Sequence, residues 1–137
     1  MSMQSIRRVL AQRPEMVEEA LNYNPSYVFF RDLGQSPPVG SINIPITPGR
    51  TVALDSRLFP AGAIGWIKTR KPRVNDKGEI VAWEDFSRFV MNQDTGGDIR
   101  GPGRADLFWG SGSYAELAAG HMRHEGELYI LIKKPSK

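Results

Sequence analysis

The residues best able to do chemistry lie in one block, Gln93-Asp94-Thr95-Gly96-Gly97-Asp98-Ile99-Arg100-Gly101-Pro102-Gly103-Arg104-Ala105-Asp106-Leu107-Phe108-Trp109-Gly110. Three carboxylates, two arginines, five glycines and a Phe-Trp pair fall within 18 residues. Glycine lets a backbone approach a ligand closely or take positive φ. A tryptophan beside a carboxylate suits sugar binding: the indole offers a flat apolar face, and the acid serves hydroxyls or a glycosidic oxygen. The same residue types also suit a tight surface hairpin with solvated charges. Residue types alone leave both readings open.

The elements that must position this block read as mostly β. Gly and Pro number 14 and 10 among 137 residues, an excess that points to turns and short strands rather than long helices. Apolar runs recur at Thr51–Leu54, Ala63–Lys68, Ile80–Trp83 and Phe86–Met91, and Asn75-Asp76-Lys77-Gly78 is a good hairpin connection. Tyr27–Phe30 is a further β-rich run, Leu128–Ile132 closes the chain as a strand, and the stretch from Gly34 to Gly49 is rich in turn residues. Ile6, Val9 and Leu10 fall at helical spacing, as do Met16 or Val17 with Ala20 and Leu21; Pro14 suits a first turn and Asn24-Pro25 an end. Ser113 and Glu116 form a capping-box pair for one late helix that Gly126 would stop. The expectation is a mainly β domain of about six strands, with short N-terminal helices and one late helix, forming a small barrel.

Composition sets the bounds. A chain of 137 residues has room for one ordinary domain. The absence of cysteine excludes disulfide frameworks, thiolate zinc sites and cysteine nucleophiles. A net charge of +3 does not by itself call for nucleic acid. No apolar run approaches the ~20 residues that span a bilayer. Arg7 and Arg8 are not followed by the apolar segment of a signal peptide, and there is no lipobox cysteine. A cytoplasmic protein and a mature piece of an exported one both fit. His121 and His124 lack a third ligand at a recognisable spacing, so no metal and no cofactor are expected. The basic run Lys68–Arg73 reads as a solvated strand end, and Trp66 and Trp83 as core. Asp94-Thr95-Gly96 is the triplet of aspartic proteases, but Asn92-Gln93 stand where that family needs apolar residues.

Several separated segments resemble the membrane-bound lytic murein transglycosylase A (MltA) family through its C-terminal three-aspartate, or 3D, domain. They are Asn24–Phe30, Pro45–Asp55, Phe59-Pro60-Ala61-Gly62, the Gln93–Gly110 block and Ala115–Gly120, together covering roughly residues 22–134 in the right order. The resemblance implies a six-stranded double-psi β-barrel over residues 25–137, with residues 1–24 a helical lead-in left from a neighbouring domain. It places the three aspartates on Asp55, Asp94 and Asp106: Asp106 as the catalytic acid/base, Asp94 and Asp55 in support. Tyr27, Gly96, Gly97 and Trp109 are the expected substrate-binding residues. Asp98 stands where the family usually has a small residue, and is not counted as catalytic.

The implied reaction cleaves the β-1,4 bond between N-acetylmuramic acid and N-acetylglucosamine in peptidoglycan and leaves a 1,6-anhydromuramoyl end. Asp106 would serve first as acid and then as base, with a pKa raised by burial beside Phe108 and Trp109 and by nearby carboxylates. Arg100 and Arg104 are expected to face outward or toward substrate carboxylates. The implied partner is the peptidoglycan glycan strand and the implied location the periplasm or outer membrane, with another domain or chain completing the groove. The alternative is a non-catalytic peptidoglycan-binding barrel, or an inactive fragment without that second wall.

Overall fold

The structure, a computed structural model, describes residues 3–135 and divides into two compact units, Met1–Gln35 and Ser36–Lys137. In the first, helix α1 spans Met3–Gln12, a single 3-10 turn follows at Pro14–Met16, and α2 spans Val17–Asn22. Pro14 opens that turn as expected, since its missing N–H is no loss in a first turn. Tyr27–Phe30, expected as a strand, is not one. It runs without regular structure, with Tyr27 83% and Phe30 96% exposed. Phe29, in the same run, is exposed too, with its ring in a T-shaped contact with that of Tyr27. β-branched and aromatic residues favour strands through the neighbours they pack against, and no ladder partner takes these up.

The second unit is built on one mixed sheet. Its strands are β1 (Thr51–Ala53), β2 (Ile64–Val74), β3 (Ile80–Asp94), β4 (Asp106–Leu107) and β5 (Glu127–Ile130), in the order β4-β1-β3-β2-β5. β2 and β3 form a long antiparallel hairpin around the expected turn, where the Asn75 side-chain oxygen accepts from the N–H groups of Lys77 and Glu79. Ile80–Trp83 and Phe86–Met91, read as two strands, are one. The charged residues between them do not break it, because Glu84 and Asp85 lie opposite Lys71 and Arg70, with ion pairs at 3.0 and 3.8 Å. The basic run is thus a strand segment with acidic residues facing part of it.

β1 runs parallel to β3, while β4 and β5 are antiparallel to β1 and β2. Among the described residues the sheet has five strands rather than six, and its edges β4 and β5 do not pair with each other. The core lies on β1, β2 and β3: Val52, Leu54, Ile67, Phe86 and Val90, with Trp109, Leu107 and Leu128 packed against it. Helix α3 (Ser113–His121) is present where expected, but its ends differ. Gly112, at φ +92°, is its N-cap, so Ser113 already lies in the first turn and no side chain caps the helix. The helix stops at an extended Met122. Gly126 lies beyond it, where the chain meets β2: a Cβ there would stand 2.5 Å from the Lys68 carbonyl oxygen.

Candidate active site

The sheet itself brings the three aspartates to one end. Ala53 of β1 is in register with Asp94 on one side, the last residue of parallel β3, and with Asp106 on the other, the first residue of antiparallel β4. Asp55 follows two residues beyond Ala53. Parallel β1 and β3 end together, and the antiparallel strand that joins them begins where they end.

The three carboxylates do different things there. Asp55 is fully buried, and its two oxygens accept four hydrogen bonds. Arg57 supplies three: its backbone N–H and Nε reach Oδ1 at 3.0 and 2.9 Å, and Nη2 reaches Oδ2 at 2.6 Å. The fourth comes from the Gly101 N–H at 2.7 Å. The Arg57 side chain first, and the Gly101 N–H next, hold the Asp55 carboxyl well below the usual carboxylate range. Such a group stays ionised and is no proton donor. It anchors the loop between β3 and β4, where Gly101 takes a φ of +82° to aim its N–H inward and Ile99 is buried.

Asp94 is half-buried and pins a different loop. Its Oδ1 accepts the Ser41 N–H at 3.0 Å, and its carbonyl accepts the Leu54 N–H at 3.2 Å. The Ser41 loop lies so close that a Cβ on Gly40 would overlap the Gln93 carbonyl oxygen.

Asp106 stands at the mouth, its side chain 46% exposed. Two expectations about it need correction. It is not buried beside Phe108 and Trp109, and Arg104 does not face away. Arg104 grips it in a bidentate pair, Nε to Oδ1 and Nη2 to Oδ2, both 2.9 Å, and Nη1 donates to the Asp98 carbonyl oxygen at 2.9 Å. The legible signal was the spacing: residues two apart on extended backbone share a face. The same spacing recurs in Asp55 and Arg57, where the chain turns rather than extends and the Asp55 side chain accepts the Arg57 N–H, and reading by residue type missed that pair too.

A cavity of about 890 Å³ opens between the two sheet edges. Arg104, Asp106 and Trp109 line one side and Arg123, His124 and Glu127 the other. A second hollow of about 400 Å³ shares Thr69, Glu125, Gly126 and Glu127 with it. Trp109 is half-buried, with its ring 5.7 Å from Phe86 and 6.0 Å from Tyr114, so it joins the core as well as the cavity wall. Gly96 packs near Ile99 while Gly97 is open to solvent. Tyr27 belongs to the N-terminal unit and is exposed there. Trp83 is half-buried with its ring 4.0 Å from that of His124, and Trp66 meets the Phe89 ring at 4.7 Å. Among the described residues no group of three or more His, Asp or Glu could hold a metal ion.

Residues 50–132, which carry this aspartate-bearing end of the sheet and the groove beside it, match the model of the family described as the 3D domain. The chain belongs to the membrane-bound lytic murein transglycosylase A family through this 3D domain. It is 36% identical over 132 residues to membrane-bound lytic murein transglycosylase A of Vibrio cholerae, covering 96% of this chain and 35% of that protein. Against the Escherichia coli K12 protein of the same name the identity is 31% over 136 residues, covering 98% and 36%. Among solved structures, MltA from Neisseria gonorrhoeae superposes with a TM-score of 0.80 at 34% identity, over 99% of this chain and 33% of that one. E. coli MltA with bound chitohexaose superposes at 0.78 and 29% identity, over 98% and 40%. The chain spans about a third of the length of the curated relatives it matches.

Proposed function

We propose that the chain carries the catalytic end of a peptidoglycan lytic transglycosylase, with Asp106 as its single acid/base. The carrying observation is that Asp106 alone of the three aspartates combines a place at that sheet end with a side chain lining the groove. Relatives named lytic murein transglycosylases, and one solved with an oligosaccharide bound, support the substrate class. Protonated Asp106 donates to the glycosidic oxygen as the bond to the muramoyl anomeric carbon breaks. The N-acetylglucosamine leaves with its 4-hydroxyl. The muramoyl C6 hydroxyl then attacks the same carbon and gives its proton back to Asp106. No water is consumed, and attack from within the substrate gains from proximity.

Asp55 and Asp94 support the reaction by holding the loops on either side of Asp106. Trp109, Gly96 and Gly97 are the residues assigned to the sugar. The same reading takes the open sheet as five strands of a six-stranded double-psi barrel, the first 24 residues as part of a neighbouring domain, and another domain or chain as the second wall of the groove. It places the protein at the cell envelope.

The second reading, a peptidoglycan-binding barrel without activity, is favoured by the Arg104 pair, which in this state leaves neither Asp106 oxygen free of a cation. Mass spectrometry of the soluble products from purified sacculi separates the two. Anhydromuropeptides from the wild-type chain and none from Asp106→Asn support the transglycosylase. Reducing-end sugars would mean hydrolysis by water, and binding to sacculi without any product would leave only the binding barrel.

A further inference from the structure

Resting on the assignment of Asp106 as the acid, the geometry around Arg104 points to a role for Asp98. A carboxyl that takes up a proton loses the charge that strengthens its two N–H···O bonds, and its hydroxyl oxygen becomes a donor and a poor acceptor. Both 2.9 Å bonds from Arg104 are then weakened, and the guanidinium, planar and always charged, is drawn to the nearest carboxylate that is still ionised. Asp98 is at hand. Its carbonyl oxygen already holds Arg104 Nη1 at 2.9 Å, so the guanidinium is tethered at one corner to the residue that bears the second carboxylate.

We infer that Asp98 is a positioning residue that receives Arg104 whenever Asp106 is protonated, so that one guanidinium passes between two carboxylates during the cycle. At rest it holds Asp106 as an aimed carboxylate. When Asp106 takes a proton from solvent, Arg104 turns about its tether to Asp98 and the acid faces the groove unclamped. When Asp106 has given that proton to the leaving oxygen, Arg104 swings back and steadies the new carboxylate.

The charges already present agree with this. Arg104 is pushed above its ordinary value chiefly by its hydrogen bonds to Asp106, and the Asp98 charge adds to the effect. Of the other carboxylates at this sheet end, Asp55 is bound to Arg57 and Asp94 accepts the Ser41 N–H, while Glu127 across the groove is held by the Tyr129 hydroxyl at 2.6 Å and by Lys68 at 3.1 Å. Arg123, His124 and Glu125 complete the charged lining opposite, where the His124 ring lies against Trp83.

The test uses Asp106→Asn as a stand-in for the protonated acid and follows the Arg104 Nε–H resonance by NMR at neutral pH. In the wild-type chain and in Asp106→Asn the proton is expected to exchange slowly, held first by Asp106 and then by Asp98. In the double variant Asp98→Ala/Asp106→Asn it is expected to exchange like that of a free arginine. Slow exchange in the double variant, or fast exchange already in Asp106→Asn, would overturn the inference. The readout needs no turnover, so it stands or falls apart from the catalytic assignment. Where anhydromuropeptides are formed, Asp98→Ala leaves Arg104 on Asp106 and is expected to lower kcat/KM about two- to fivefold at neutral pH, the size of a half-exposed pair. The alkaline limb of the kcat/KM profile moves to lower pH in Asp98→Ala and to higher pH in Arg104→Gln. Limbs that stay put, or move together, would also overturn it.

Discussion

The same pair of residues, an aspartate and an arginine two positions apart, occurs twice at one end of this sheet, with opposite consequences. In Asp55 and Arg57 the carboxylate is wholly buried and a backbone N–H from a distant loop completes its shell. In Arg104 and Asp106 both side chains are about half exposed, and the carboxylate lines an open groove. The first pair cannot exchange partners without exposing a buried charge, so it is structural. The second loses little by parting, because water or a ligand can replace the guanidinium. Chemistry therefore belongs to the weaker pair, and the stronger one holds it in place.

The largest effect that would break this contrast is at Asp106. Asp106→Asn should lower anhydromuropeptide release by about 10²–10⁴-fold, the usual range for a general acid, while leaving Tm unchanged. Asp55→Asn should do the reverse in kind: it lowers Tm and frees the Gly101 loop, so that activity falls through misplacement of Asp106. The pH dependence tells the two apart. Because the folded-state pKa of Asp55 is depressed, its stabilisation is complete above the ordinary carboxylate value of about 4 and fades as pH falls through its lower folded value. The stability gap between wild type and Asp55→Asn should stay constant above that pH and narrow in acid. A constant gap throughout would show that Asp55 acts by packing alone. Next in size, Gly40→Ala forces the Ser41 loop off Gln93 and breaks the hydrogen bond from the Ser41 N–H to Asp94. It should cost about 1–3 kcal/mol by overpacking, and chemical denaturation measures it.

Much of this was legible in the residues. Turn chemistry marked the β2–β3 hairpin, and apolar runs marked β1 and the cores of β2 and β3, because those signals are local. The family resemblance singled out all three aspartates. What local signals could not carry was partnership. Tyr27–Phe30 has the composition of a strand and no strand to pair with. Glu84 and Asp85 look like a break until Lys71 and Arg70 stand opposite them. Ser113 and Glu116 fit a capping box, but a positive-φ glycine one residue earlier takes the cap. At the site, the resemblance marked Asp55 as support, yet its burial depends on a loop 46 positions away that delivers the Gly101 N–H. The spacing of Arg104 and Asp106 is in the sequence, but the β4 pairing that fixes Asp106 beside Arg104 is not.

The smallest effect sharpens the contrast most. Arg57→Gln and Arg104→Gln remove the same charge from the same kind of pair, so any difference between them measures the surroundings of the carboxylate. With Arg57 gone, Asp55 keeps only backbone N–H donors around a buried negative charge and must protonate or draw in water. With Arg104 gone, Asp106 turns to the solvent that already reaches it. Calorimetry should therefore find a clear drop in Tm for Arg57→Gln at neutral pH that shrinks in acid as Asp55 is neutralised. Arg104→Gln should melt with the wild type at every pH. A Tm for Arg104→Gln as low as that for Arg57→Gln would mean that the groove-side pair also holds the fold together, and that Asp106 is less free to change partners than its exposure implies.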